Sequence, residues 1–380
     1  MDRYHRQIIM PEVGAVGQDK LKAASVLVIG AGGLGCPALS YLTAAGIGTI
    51  GIVDGDCVDL SNLHRQVLYQ TKDVGKPKSE TAAKRLKALN PNVLFHAYPT
   101  CLDTDNALEI MTPYDIVLDG TDNFPARYLI NDACLLLDKV NVFASVFRFD
   151  GQLTVFNYRY DDGTYGPNYR DLYPAPPAAD SVPSCAEGGV LGVLPGIMGA
   201  LQAAEAIKIL LGIGDPIVGR MMILDTLHGE TRYMSFKKRP EHWNGNKQII
   251  VEKLIDYDLF CSDYQNTSSQ RNNTMIKEVN VSELKEMMDN NEDFQLIDVR
   301  EPYEAEIAEM GGKLIPMGEL LDRVDEISKD KKVVVHCRSG ARSASVIQML
   351  QDRFDYDNLY NLKGGILAWA DQIDTSLEKY

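Results

Sequence analysis

One stretch limits what this chain can fold into. Residues 26–56 read VLVIGAGGLGCPALSYLTAAGIGTIGIVDGD. Residues 26–29 are a short apolar run of the kind that forms a buried parallel strand. Gly30, Gly32 and Gly35 follow in G-x-G-x-x-G spacing, with Gly33 among them. Glycines allow a tight turn and a close approach of backbone to phosphate. The helix after them points free N–H groups and its positive dipole end at an anion. Residues 50–53 read as the next strand, with Asp54 at its end, where a carboxylate can accept ribose hydroxyls. Strand, turn, helix, strand and acid in that order predict an α/β fold with a mostly parallel, Rossmann-like sheet and a nucleotide site at its strand ends.

At 380 residues the chain exceeds one ordinary domain, and two or three units are expected. The formal net charge of -15 argues against a nucleic-acid partner, because affinity there comes from Lys and Arg neutralising phosphates. Residues 1–14 lack the apolar core of a signal peptide. The longest apolar stretch, 189–211, contains Pro195, Gln202, Glu205 and Lys208, so it reads as a buried helix rather than a membrane span. The seven cysteines are scattered and form no C-x-x-C pair. They fit free thiols in a reducing cytoplasm.

Residues 1–22 are polar and predict a helix. Beyond Asp54, residues 59–66 (DLSNLHRQ) set Ser61, Asn62, His64 and Arg65 just past a strand end. Ligands of open parallel sheets bind there, so these side chains can reach phosphates; equally, Ser61 or Asn62 can cap a helix and Arg65 be solvated. Lys76 and Lys78 precede a helix expected over 79–89, and their local sequence favours the surface over phosphate binding. Residues 116–118 form another buried strand, running into Asp119, Gly120, Thr121, Asp122 and Asn123. Carboxylates there suit a Mg²⁺ held partly by substrate phosphates; an acidic turn with a helix cap is the plainer alternative. Residues 163–184, rich in Pro and Tyr, predict a long loop without helix. Cys185 follows it, before the apolar helix, as a candidate nucleophile or an incidental thiol. Residues 261–273 (CSDYQNTSSQRNN) have linker composition.

A second unit begins near Met275. A helix is expected over 281–288 with Ser282 as its cap, then a strand over 294–299. Residues 332–336 (KVVVH) form the next strand and deliver Cys337-Arg338-Ser339-Gly340-Ala341-Arg342, followed by a helix over 343–352. A cysteine between a strand and a helix N-terminus, under converging N–H groups and beside two guanidiniums, favours the reactive thiolate. The same cradle would stabilise an anionic persulfide.

The stretches RYHRQI, VLVIGAGGLGCPAL, VDGDCVDLSNLHRQ, VGKPK, DGTDNFPARYLIND and PSCAEGGVLGVLPGIMG, spread over residues 3–199, resemble the MoeB/ThiF family of ATP-dependent activating enzymes, relatives of the ubiquitin-activating enzymes. LIDVREPYE, GGKLIPMGEL, VVVHCRSGARS and NLKGGILAW resemble a rhodanese domain. The combination is similar to fused adenylyltransferase–sulfurtransferases. It implies an adenylyltransferase domain over 1–245, a linker over 246–274 and a rhodanese domain over 275–380. It implies ATP in place of a dinucleotide, with Gly33 on the nucleotide and Asp54 on the ribose. Asn62, Arg65 and Lys78 would contact the triphosphate, with Ser61, Leu63 and His64 in the same segment. Asp122, with Asn123 beside it, would hold Mg²⁺, and Arg6 would reach into the neighbouring subunit's site of a homodimer.

The resemblance also makes Cys185 a thiol that attacks the activated substrate and Cys337 the persulfide carrier. The implied partners are a ubiquitin-like sulfur carrier ending in Gly-Gly and a donor such as a cysteine desulfurase. The implied product is a thiocarboxylate for molybdopterin or thiamine, made in the cytoplasm without membrane or nucleic acid. Many relatives hold a zinc with two C-x-x-C pairs. Here Asn168-Tyr169-Arg170-Asp171 and Glu241-His242-Trp243-Asn244 stand in those places, so that zinc is not expected. A nicotinamide dehydrogenase would also use the glycine turn, but gives SNLHR no role. The cysteine loop could belong to a phosphatase or arsenate reductase, whose cradles commonly run C-x₅-R, or the unit could be a non-catalytic carrier-binding module.

Overall fold

The computed structural model describes residues 3–176, 188–244, 247–261, 276–320, 323–354 and 356–377. These fall into two compact units, the first reaching Cys261 and the second starting at Ile276. In the first, β1 (Ser25–Ile29), β2 (Thr49–Val53), β3 (Leu94–Tyr98), β4 (Ile116–Asp119), β5 (Val140–Phe147), β6 (Asp150–Phe156), β7 (Arg220–Asp225) and β8 (Glu230–Ser235) form one sheet. Its order is β3-β2-β1-β4-β5-β6-β7-β8. Pairing is parallel from β3 to β5 and antiparallel from β5 to β8. Strand order reverses at β1, so a crevice opens beyond the ends of β1 and β4.

Burial along β1 explains the continuous apolar run. Val26 and Val28 pack in one core cluster with Leu39, Leu42 and Leu86, whereas Leu27 and Ile29 pack in another with Val117, Tyr128 and Phe143. Both faces of the sheet are covered, so alternation gives way to unbroken hydrophobicity. The turn after β1 needs its glycines: Gly30 has φ 90°, and a β-carbon on Gly35 would stand 1.9 Å from the Gly30 carbonyl oxygen.

Several expected elements differ. The N-terminal helix is two, His5–Ile8 and Gly14–Ala23, because Pro11 interrupts the pattern. Within the expected loop 163–184, Tyr169–Leu172 forms a helical turn, since Asn168 and Asp171 make a reciprocal capping box. Residues 177–187, and with them Cys185, lie outside the described residues. The apolar stretch gives the helix Val193–Leu211, long and apolar enough by composition to cross a membrane. One side of it packs on the sheet through Leu194 and Met198, and Gln202 donates to the carbonyls of Asp119 and Val142.

The expected linker also starts too early. Residues 247–261 belong to the first unit, with Val251, Tyr257 and Cys261 each no more than 6% exposed. The polar composition begins only after Cys261; before it, Val251, Leu254, Tyr257 and Phe260 carry enough apolar surface to bind.

In the second unit β9 (Lys277–Val279), β10 (Phe294–Asp298), β11 (Lys313–Leu314), β12 (Lys332–His336) and β13 (Leu359–Leu362) form a parallel sheet, order β9-β13-β12-β10-β11. Its first helix, Val281–Asp289, is capped by Asn280, not Ser282: Asn280 accepts from Glu283 N–H while Glu283 accepts from Asn280 N–H. Central β12 runs into the cysteine loop and the helix Ala341–Phe354.

Candidate active sites

A cleft of about 1220 Å³ opens where the first sheet reverses, lined by Gly33, Asp54, Ser61, Asn62, His64, Arg65, Lys78, Asp122 and Asn123 among others. Asp54 ties the strand ends together: its carboxylate accepts from Ala31 N–H at 2.7 Å and Asp56 N–H at 2.9 Å. Burial pushes its pKa up, and Lys78 opposes that shift. Lys78 is not on the surface as its local sequence suggests. It is 5% exposed, with Nζ 2.8 Å from an Asp56 carboxylate that itself faces solvent. Such a partner offsets the lost hydration of a buried amine. Lys76 is the surface residue, paired with Asp73.

The segment after β2 is fastened by Asp59, which caps the turn Leu60–Asn62 in place of Ser61 or Asn62. Asp59 accepts from the Ser61 hydroxyl and N–H, which hold its carboxyl below the usual range. Arg65 Nη1 lies 3.3 Å from the Ser61 carbonyl, and its Cδ lies 3.6 Å from where a Gly33 β-carbon would be. Leu63 packs on the core, and neither it nor the exposed Arg6 lines the cleft of its own chain. Asn123 caps the helix Phe124–Leu136 by accepting from Ala126 N–H, so that amide is partly committed. Asp122 is exposed in the cleft.

Gln66 and Arg127 gain no role from the sequence, and Asp119 enters it only as one of the carboxylates that suit a Mg²⁺. Gln66 is 4% exposed, lines the cleft and donates to Asn62 Oδ1 at 3.1 Å. Asp119 is fully buried at the end of β4; burial raises its pKa and Arg127 opposes that. Arg127 lines the cleft and lies against the Phe124 and Phe143 rings, 5.5 Å from each centroid. The available signal was spacing: Arg127 falls one helical turn after the Asn123 cap, facing the strand end.

Where the resemblance would place two cysteine pairs, one carboxylate gathers the chain instead. Asp171, 4% exposed, accepts from Asn168 N–H at 2.9 Å, Arg239 N–H at 3.0 Å, His242 Nδ1 at 2.9 Å and Trp243 Nε1 at 3.1 Å.

The second centre is compact. Cys337 is 1% exposed; its Sγ accepts from Gly340 N–H at 3.1 Å and lies 3.5 Å from the Ser343 hydroxyl. Ser343 also reaches the Gly340 carbonyl and Asn361. Backbone N–H, hydroxyl and the following helix start supply the anion-favouring field. Arg342 forms a two-pronged pair with Glu304, 2.6 and 2.7 Å, which counters its charge, and Arg338 is exposed.

Comparison with known proteins places both units. Residues 4–244 match the ThiF family and residues 280–372 the rhodanese-like domain. The chain is 53% identical over 261 residues to a sulfur carrier protein adenylyltransferase of Thermus thermophilus, covering 69% of this chain and 96% of that protein. It is 41% identical over 382 residues to the probable adenylyltransferase/sulfurtransferase MoeZ of Mycobacterium tuberculosis, covering 100% of this chain and 95% of the relative. The adenylyltransferase and sulfurtransferase MOCS3 of Drosophila virilis is 41% identical, with 100% and 85% covered. Among solved structures, E. coli MccB shares the fold at TM-score 0.55 and 22% identity, over 63% of this chain and 72% of that one.

Proposed function

The chain belongs to the ThiF family and continues into a rhodanese-like domain, and from that premise we propose that it activates the C-terminal glycine of a ubiquitin-like sulfur carrier and converts it to a thiocarboxylate. It is an ATP-using adenylyltransferase with a sulfurtransferase domain. The observation that carries the site assignment is the meeting of Gly33, Asp54, Arg65, Lys78 and Asp122 in one cleft.

The carrier's glycyl carboxylate attacks the α-phosphorus of ATP, forming the acyl–phosphate bond and releasing pyrophosphate. The protein's part is positioning and charge neutralisation. Asp54 orients the ribose, Asn62 and Arg65 hold the phosphates over Gly33, and Lys78 leaves Asp56 for them. Asp122 would hold a Mg²⁺, which would neutralise phosphate charge when bound. A single exposed carboxylate fits an ion that keeps its waters and substrate oxygens. No cluster of three His, Cys, Asp or Glu suited to a metal occurs among the described residues.

In the second unit Gly340 N–H and Ser343 hold the terminal sulfur of a Cys337 persulfide as an anion. That sulfur attacks the acyl carbon and expels AMP. A second thiol then attacks Cys337 Sγ, releasing the thiocarboxylate and leaving a disulfide; Cys185 is our candidate. A small-molecule or protein dithiol then reduces that disulfide, being oxidised itself, and the freed Cys337 thiolate takes a sulfane sulfur from a cysteine desulfurase persulfide or a small sulfane donor, whose own thiol or sulfite leaves. The product serves molybdopterin, thiamine or a related sulfur-containing cofactor.

We assign the adenylyltransferase unit to residues up to 261 and the sulfurtransferase unit to residues from 275. The working form is a homodimer in which Arg6 of each chain reaches the other's cleft. Two features support this: Arg6 is exposed away from its own cleft, and Val193 and Ile197 leave an apolar helix face 58% and 38% exposed. The setting is the cytoplasm, which suits the free thiols of the described cysteines.

Mass spectrometry of candidate carriers after incubation with enzyme, MgATP and thiosulfate tests the reading. One sulfur exchanged for one oxygen supports it; an unchanged mass with every carrier, and no pyrophosphate release, rules it out.

A further inference from the structure

Residues 254–258, inside a stretch whose place in the sequence suggests a linker, form part of the cleft wall. Leu254 belongs to the same apolar cluster as Tyr98 and Leu102, at and beyond the end of β3. That region abuts the end of β2: a β-carbon on Gly55 would lie 2.7 Å from the Cys101 sulfur. Sheet order then sets out the cleft as a ruler. The glycine turn follows β1, Asp54 follows β2, and residues 100–104 follow β3. A nucleotide with phosphates over the glycine turn and ribose at Asp54 carries its base toward the β3 side, against residues 100–104 and 254–258.

One side chain fixes that wall. Tyr257 is 4% exposed, and its hydroxyl donates to Asp132 Oδ2 at 2.7 Å. The Asp132 carboxylate is also gripped by Arg170, through Nε at 2.8 Å and Nη2 at 2.7 Å. Arg170 in turn lies over the Phe260 ring, 5.0 Å from its centroid, and Phe260 packs edge-on against Tyr128. Asp132 lies on the helix that starts at the cleft with Asn123 and carries Arg127. A buried carboxylate satisfied from both sides makes a stiff anchor. Ile255, by contrast, lines the cleft while 37% exposed, so it offers apolar surface to a ligand rather than to the core.

We propose that residues 254–258 are the wall against which the purine ring of ATP packs, and that Tyr257 is the positioning residue that holds this wall. The proposal rests on the adenylyltransferase reading for its ligand, and it adds a segment and a base-recognition role to it.

The test is direct binding to the full-length enzyme by calorimetry, with AMP as the ligand that has a base and inorganic tripolyphosphate as the one that lacks it. Tyr257→Phe removes one hydroxyl and keeps the ring. It should weaken AMP by about three- to tenfold and leave tripolyphosphate unchanged. In pyrophosphate exchange it should raise the KM for ATP by the same factor, with kcat and the carrier's KM unaltered. Ile255→Ala, which leaves the Tyr257–Asp132 bond intact, should weaken AMP selectively with no change in melting temperature. Equal weakening of both ligands, or no weakening of AMP in either variant, overturns the proposal. If the wild-type enzyme binds AMP but supports no carrier-dependent exchange, the carrier-activation reading fails instead, and the binding comparison still decides on the wall.

Discussion

In the first unit Gly33, Asp54, Arg65, Lys78 and Asp122 come from the ends of β1, β2 and β4 and the loops between, and meet across an open cleft. In the second, Cys337, Gly340 and Ser343 come from one short loop and close over a sulfur that is 1% exposed. The contrast follows the substrates. A nucleotide triphosphate is long and heavily charged, so its cations must stand apart and stay solvated or paired until it arrives; Asp56 pairs with Lys78 meanwhile. A single sulfur needs only a few donors at fixed distance, and a strand-to-helix turn supplies them from adjacent residues.

Exchanging lesions between the two centres gives the largest expected effect. Lys78→Ala should lower carrier-dependent exchange of labelled pyrophosphate into ATP by about 10²–10³ and leave thiosulfate:cyanide turnover intact. Cys337→Ala should abolish thiosulfate:cyanide turnover and leave exchange intact. Loss of both activities in either variant would show that the centres are not separable as drawn.

Asp171→Asn probes what holds the nucleotide unit together. The amide would replace one acceptor oxygen among the donors of Asn168, Arg239, His242 and Trp243. A loss of about 3–4 kcal/mol is expected, read from the urea transition of Trp243 fluorescence. Sulfurtransferase activity should be untouched below that transition.

How much of this was readable in advance depends on distance along the chain. The glycine turn, Asp54 and the cysteine loop are local: a few residues carry strand, turn and chemistry together. Lys78 looked like a surface lysine because its partner Asp56 is 22 residues away. The anchor at Asp171 joins positions 68 to 72 residues apart, and Pro-rich neighbours hid the capping box that builds it. Residues 254–258 read as linker because nothing nearby marks Tyr257 as a donor to Asp132. The loop sequence sets Arg342 beside Cys337 but carries no sign of its pairing with Glu304 on another helix.

The cysteine unit should be the more acid-sensitive of the two through His336. Burial pushes this imidazole down to about 4, against the pull of Asp298 and with Arg300 adding to it. The folded unit therefore keeps His336 neutral while the unfolded chain protonates it near 6.5. Its contribution is complete above that value and is lost as pH falls toward 4, up to about 3 kcal/mol. Urea midpoints of Trp369 fluorescence measured from pH 7 to 4.5 should fall more steeply in wild type than in His336→Leu. Parallel slopes would remove His336 as the cause.

The smallest effect concerns the Glu304–Arg342 pair, and it separates stability from chemistry within the cysteine unit. Glu304 is 5% exposed, whereas the Arg342 side chain is 32% exposed. Solvent reaches one partner, so the pair is worth less than a fully buried one, about 1–2 kcal/mol. Glu304→Gln keeps the shape and removes the charge, freeing Arg342 toward the loop that holds Cys337. If the donors that matter are Gly340 N–H and Ser343, thiosulfate:cyanide kcat should change less than about twofold while the urea midpoint drops. Ser343→Ala should lower both, kcat because its hydroxyl faces the sulfur at 3.5 Å and the urea midpoint because the same buried hydroxyl donates to Asn361 at 2.7 Å. A large gain in kcat for Glu304→Gln would mean that Arg342 is held in reserve by Glu304, and the cysteine loop would then resemble the cleft in storing a paired cation for its substrate.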